Sequence, residues 1–163
     1  MKSLLIVRHA KSSWDNISLS DFNRPLNHRG LRDAPIMANL AKTLGLIPEI
    51  IFSSPANRAL TTATIFQNMF DNSVQIVENQ DIYHASLYTL EELIQNFDDK
   101  YNHIAIFGHN PGLSFLAEKF TSGSIYEIPT CGIVSINFNC NHWHNVFECT
   151  KVFKNYFPKD AQD

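Results

Sequence analysis

Apolar positions in this chain come as short runs and helical stripes that alternate along its length. The first run, Leu4-Leu5-Ile6-Val7, leads straight into Arg8-His9-Ala10. An uninterrupted run this short predicts a strand buried on both faces. Runs at 49–53, 74–77 and 103–107 predict three more strands. Residues 132–138 and about 145–150 predict two late strands, with Asn141-His142-Trp143-His144 as the turn between them.

Helical stripes fill the intervals. Asn27 is placed as an N-cap, and Leu31, Met37, Leu40, Ala41 and Leu44 follow at helical spacing up to the terminator Gly45. Pro35 lies inside that span and predicts a kink or a restart. Ser54-Pro55 reads as a cap followed by a first-position proline, opening a helix through Arg58 and Thr62 to about Phe70. Thr89-Leu90-Glu91-Glu92 reads as a capping box, with a helix to about Phe97. Asn110-Pro111 repeats the cap-then-proline pattern before Leu113, Leu116, Ala117 and Phe120. The polar stretch Lys11 to Asn27 predicts a long loop, and ordered loops of that length are often functional.

Strands alternating with helices predict an α/β protein, a three-layer α/β/α sandwich with a mainly parallel sheet. The final pair, joined by a short turn, adds an antiparallel strand. A length of 163 residues suits a single domain over 1–163. At 44% hydrophobic and 18% charged, the composition is that of an ordinary globular protein. A net charge of -3 without any basic run gives no support for a nucleic-acid partner. The apolar run after Met1-Lys2 is too short for a signal peptide or a membrane span, so no membrane partner and a cytoplasmic location are expected. Cys131, Cys140 and Cys149 are expected to be reduced thiols. The spacing of Cys140, His142, His144 and Cys149 matches no common zinc pattern, so no metal is expected.

Three strand ends carry candidate chemistry. Arg8 and His9 follow the first strand, Arg58 lies one turn into the helix after the second, and His109 follows the fourth. Ligands of open α/β sheets bind at the carboxyl ends of the strands. Arginine is a planar, permanently charged receptor for phosphate, and histidine can form covalent intermediates. Helix N-termini favour anions. Each residue has an ordinary alternative: Arg58 could pair with an acidic neighbour, and His109 could cap its own loop. Convergence on one sheet edge favours a phosphoryl site instead. His28, His84, His142 and His144 lack such placement and read as structural or solvated.

Arg8-His9-Ala10, the segment Ser53-Ser54-Pro55 to Arg58 to Thr62-Ala63, and Gly108-His109-Asn110-Pro111-Gly112 occur in this order. In that set the chain resembles the histidine phosphatase superfamily, which has the phosphoglycerate mutase-like fold. Arg8-His9-Ala10-Lys11-Ser12-Ser13-Trp14, followed by Asp21-Phe22-Asn23-Arg24-Pro25-Leu26-Asn27, resembles the SixA-type phosphohistidine phosphatases more narrowly. The resemblance extends to at least Gly112, and Pro129-Thr130-Cys131-Gly132 also fits.

The resemblance implies a phosphatase with a phosphohistidine intermediate on His9. Arg8 and Arg58 would grip the phosphoryl oxygens and His109 would contact the same group. Arg24 and Asn110 would bind substrate. No cofactor is implied. A nucleophilic imidazole must be neutral, and nearby positive charge lowers its pKa below about 6.5. The same charges stabilise the equatorial oxygens in the transition state. Many members of the superfamily hold a carboxylic acid over the pocket. Here Glu78 to Ala85 aligns none, and Asp81 and His84 are the candidates within it. The SixA-type proteins are similar in this respect. The leading substrate is a phosphohistidine protein. The alternatives are a small phosphorylated metabolite, or a non-catalytic phosphate-binding domain.

Overall fold

A computed structural model describes residues 1–161. Strand β1 spans Lys2–Arg8 and is followed, after a long loop, by helix α1 (His28–Thr43). Next come β2 (Ile50–Ser53), α2 (Asn57–Met69) and β3 (Gln75–Glu78). Helix α3 (Leu87–Gln95), β4 (His103–Gly108) and α4 (Gly112–Phe120) follow. The chain continues with β5 (Ile133–Phe138), β6 (Lys151–Tyr156) and the short α5 (Pro158–Ala161). The six strands form one sheet in the order β3-β2-β4-β1-β5-β6. β1 pairs parallel with β4, and β2 pairs parallel with both β4 and β3. β5 runs antiparallel to β1 and to β6. The sheet is therefore mainly parallel, as expected, and the last pair adds one antiparallel strand: β5 runs against the others, while β6, antiparallel to β5, points the same way as β1.

Alternation along the central strands builds two cores. Leu4, Ile6, Ile104 and Ile106 point to one face, where they meet Leu90 of α3 and Leu116 of α4. Leu5, Val7, Ala105 and Phe107 point to the other, against Met37 of α1 and Phe66 of α2. Successive strand side chains face opposite sides, so both halves of each apolar run are used.

Several local expectations are corrected. α1 runs unbroken through Pro35. A proline leaves the carbonyl four residues earlier without its donor, here Leu31, which is exposed and open to water. α2 starts at Asn57 rather than Pro55, although Ser54 Oγ still accepts from Ala56 N at 3.2 Å. α3 is capped by Ser86, whose Oγ accepts from Thr89 N, and it ends at Gln95. α4 begins at Gly112, with Asn110 turned away to bond the Ile128 carbonyl. The last strand lies at 151–156 because 143–145 forms a helical turn instead. Trp143 is fully buried there, and its Nε1 donates to the Tyr101 carbonyl. Cys140 and Cys149 stand opposite each other across this hairpin with sulfurs 3.1 Å apart, both free thiols. Among the described residues, no His, Cys, Asp or Glu group is arranged to hold a metal, and no helix is long and apolar enough to cross a membrane.

Candidate active site

β2, β4 and β1 are neighbours, so their carboxyl ends lie side by side. His9 N donates to Gly108 O at 3.1 Å, extending the β1–β4 ladder by one residue. Cys131 N donates to the carbonyls of Arg8 and His9, at 3.1 and 3.0 Å. Ala10 N donates to Thr62 Oγ1, which in turn donates to the Arg58 carbonyl at 2.7 Å. The turn after β1 is thereby fixed to β4, to residue 131 and to α2. A Cβ at Gly30 would collide with the Lys11 carbonyl oxygen, so only glycine lets α1 lie this close to the loop.

The six residues singled out from the sequence all line one cleft of about 230 Å³: Arg8, His9, Arg24, Arg58, His109 and Asn110. His9 is buried, with Nδ1 2.7 Å from the Ala10 carbonyl oxygen. A carbonyl only accepts, so Nδ1 carries the proton and Nε2 the lone pair. Arg58 Nε donates to that Nε2 at 3.3 Å. The rings of His9 and His109 are 5.2 Å apart, and His109 Nε2 lies 2.8 Å from Ser54 Oγ. Arg8 Nη1 donates to the Ile128 carbonyl at 3.0 Å. Two buried side-chain nitrogens have no partner among the described residues, Arg8 Nε and His109 Nδ1. An unsatisfied buried polar group costs about 1–3 kcal/mol. Both belong to residues of this one cleft, where an anionic ligand could satisfy them.

His9 is held far below the ordinary histidine range, at about 3. Burial is the largest cause, the bond to Ala10 opposes it, and Arg58, Arg8 and Arg24 lower it further. The neutral imidazole expected from nearby cations is thus present, with desolvation as its main origin. His109 is also lowered to about 3, by burial and then by His9 and Arg58.

One carboxylate, missed from the sequence, organises the arginines. Asp21 Oδ1 accepts from Arg24 Nε and Nη2, at 3.3 and 3.0 Å. Its Oδ2 accepts from Arg58 Nη2 at 3.1 Å and from the Tyr83 hydroxyl at 2.6 Å. Arg58 Nη1 also donates to the Asp21 carbonyl at 2.8 Å. Burial opposes ionisation of Asp21, but Tyr83, Arg24 and Arg58 outweigh it and hold the carboxyl well below the carboxylate range. Arg24 is completed by Ser12 Oγ at 2.7 Å and by the Trp14 ring, 3.5 Å from its guanidinium carbon. The available signal was the spacing of Asp21 three residues before Arg24 in a long polar loop. Asp81, by contrast, is exposed and does not line the cleft. His84, read from the sequence as structural or solvated and, after Asp81, as the remoter candidate for the acid, does line it.

The profile of the histidine phosphatase superfamily (branch 1) matches residues 4–105. An uncharacterized chloroplastic protein of Arabidopsis thaliana is 32% identical over 158 residues, covering 90% of this chain and 71% of that protein. SixA from Agrobacterium tumefaciens overlays with a TM-score of 0.79 at 29% identity, covering 84% of this chain and 92% of that one. The protein histidine phosphatase SixA complexed with tungstate overlays with a TM-score of 0.79 at 18% identity, over 97% of this chain and 98% of that one. That last likeness is one of fold.

Proposed function

The chain belongs to the histidine phosphatase superfamily, and from that membership we propose that it hydrolyses phosphoryl groups through a covalent phosphohistidine on His9. The observation that carries the reading is the fixed tautomer of His9. Its Nδ1–H is committed to Ala10, so Nε2 presents a neutral lone pair among the cleft's cationic and unsatisfied donors. Attack by Nε2 on phosphorus expels the leaving group with the electron pair of its bond to phosphorus and places positive charge on the ring, which the Ala10 carbonyl, already accepting from Nδ1, stabilises. Arg8, Arg24 and Arg58 then balance the charge on the equatorial oxygens, with His109 donating from Nδ1. Asn110 and Arg24 contact the substrate. Water attacks the phosphohistidine in the second step, and the P–Nε2 electron pair returns to His9.

The substrate we infer is phosphohistidine in a protein. SixA from Agrobacterium tumefaciens, 29% identical, bears the name of a phosphohistidine phosphatase, which supports this reading. The reading takes residues 1–163 as one histidine phosphatase domain working in the cytoplasm.

The test is to quench the enzyme during turnover of labelled phosphate substrates and to map the label. An acid-labile phosphate on His9, absent from His9→Ala, is expected. Label on serine or cysteine would refute the mechanism, as would an active enzyme that shows none under trapping conditions. Faster turnover of a phosphohistidine protein than of a panel of phosphorylated metabolites is expected, and the reverse order would reassign the substrate.

A further inference from the structure

A second cavity, about 510 Å³, opens directly beside the phosphoryl cleft and is lined largely by apolar groups such as Leu87, Tyr88, Pro111 and Phe115. Among the described residues only His84, His109 and Asn110 line both spaces. A leaving group that extends from the cleft into this second cavity passes these three side chains. Departure of a poor leaving group requires a proton there.

Two of the three are unsuited to supply it. Asn110 has no titratable proton, and its amide is engaged by the Ile128 carbonyl and by Ser114. His109 is held neutral by burial, at about 3, with Nε2 occupied by Ser54. His84 differs in each respect. Its side chain is 65% exposed, and Nε2 lies 3.6 Å from Asp21 Oδ2. When the ring is protonated, Asp21 is its counter-ion. The ring also packs on Tyr83, with centroids 3.9 Å apart. Its backbone is left-handed, with φ at +55°. Non-glycine residues adopt that conformation at a cost, and such outliers cluster at functional sites. The segment is held in place because α4 starts hard against it: a Cβ at Gly112 would collide with the Ala85 carbonyl oxygen.

We propose that His84 is the proton donor to the leaving group, set at the border of the two cavities and paired with Asp21. This rests on the covalent phosphatase reading and adds to it the acid that the 78–85 segment lacks as a carboxylate. In the first step Nε2 of His9 forms its bond to phosphorus, and the electron pair of the breaking bond passes to the leaving atom. That atom takes a proton from the His84 imidazolium. In the second step neutral His84 removes a proton from the attacking water, the P–Nε2 bond returns its pair to His9, and phosphate departs. The enzyme ends as it began, and one water is consumed.

The test uses a series of aryl phosphates from dinitrophenyl, a good leaving group, to phenyl, a poor one. Wild type is compared with His84→Asn, since asparagine tolerates the left-handed backbone, and with His84→Gln. Loss of the donor should cost phenyl phosphate about 10²-fold or more in kcat/KM, while dinitrophenyl phosphate changes little. Added imidazole should restore part of the phenyl rate. For phenyl phosphate the wild-type pH profile should show an alkaline limb that both variants lack. The charged and ionisable groups around His84 are Asp21, Tyr83 and His109, with Arg58 and Arg24 in the same cleft. Asp81→Asn should behave as wild type. Equal losses across the series, or none, would overturn the proposal while a labelled His9 still stood. An active wild type without label on His9 would overturn the covalent reading itself.

Discussion

Arg58 offers a direct test of the cleft, because a single buried guanidinium, 4% exposed, makes three kinds of contact. It donates Nε to His9 Nε2 at 3.3 Å, Nη1 to the Asp21 carbonyl at 2.8 Å and Nη2 to Asp21 Oδ2 at 3.1 Å. Replacement by alanine removes the charge nearest the nucleophile. Loss of one preorganised charge-stabilising group costs about 10²–10³ in kcat, or about 2.7–4 kcal/mol, and that is the loss expected in kcat/KM. Arg58→Lys should lie close to the alanine variant. An ammonium on a flexible stem cannot serve Nε and Nη positions together.

The same substitution moves the pH profile in a defined direction. In the proposed mechanism neutral His9 is the attacking form. Burial is the largest cause of its lowered value and Arg58 a lesser one, so removing Arg58 raises it only part of the way toward 6.5. The acid limb of kcat/KM for a good leaving group should shift upward in Arg58→Ala and stay below the ordinary histidine value. The assay is kcat/KM on dinitrophenyl phosphate over the acid range, with thermal melts to confirm folding. Near-normal activity in the lysine variant would refute the assignment and leave Arg58 a structural partner of Asp21. An unmoved acid limb would refute the electrostatic argument.

Acid should destabilise the fold through two histidines. His9 and His109 stay neutral in the native state down to about 3, whereas unfolded histidine binds a proton near 6.5. Their contribution is complete above about 6.5 and is lost as pH falls from there toward 3, by up to about 1.4 kcal/mol per pH unit for each. Urea unfolding of wild type and His109→Asn should show a shallower acid slope in the variant, and equal slopes would refute the burial argument. Activity should survive a chelator, because among the described residues no group of His, Cys, Asp or Glu is arranged to hold a metal ion. A loss restored by one divalent ion would show that the enzyme works with a bound metal and would refute this expectation.

The legible and illegible parts of the site divide along a physical line. Arg8, His9, Arg58 and His109 are legible as neighbours in one cleft because they sit at ends of regular elements. Leu4-Leu5-Ile6-Val7 or Ile104-Ala105-Ile106-Phe107 announces a buried strand, and sheet order then brings the ends together. Asp21 could not be found this way. Loop closure alone brings it to Arg58 and Tyr83, 37 and 62 residues away. The late hairpin misled for a related reason. Val146, Phe147 and Cys149 have strand-like composition but pack as a loop around buried Trp143.

This division has a chemical counterpart. In the proposed mechanism Arg8, Arg58 and His109 face the phosphoryl oxygens from a strand end, a helix first turn and the tight turn after β4, where backbone bonds leave them little freedom. Arg24, on the long loop, is held instead by Asp21, Ser12 and the Trp14 ring. His84 stands on an exposed, left-handed position next to an apolar groove. A phosphoryl group is the same in every substrate and rewards a rigid receptor. Leaving groups differ in size and basicity, and a loop can change to meet them without disturbing the sheet. Substitutions at His84 and along the groove should therefore alter which phosphoryl compounds are cleaved, whereas substitutions at Arg8, Arg58 or His109 should lower turnover of all of them together.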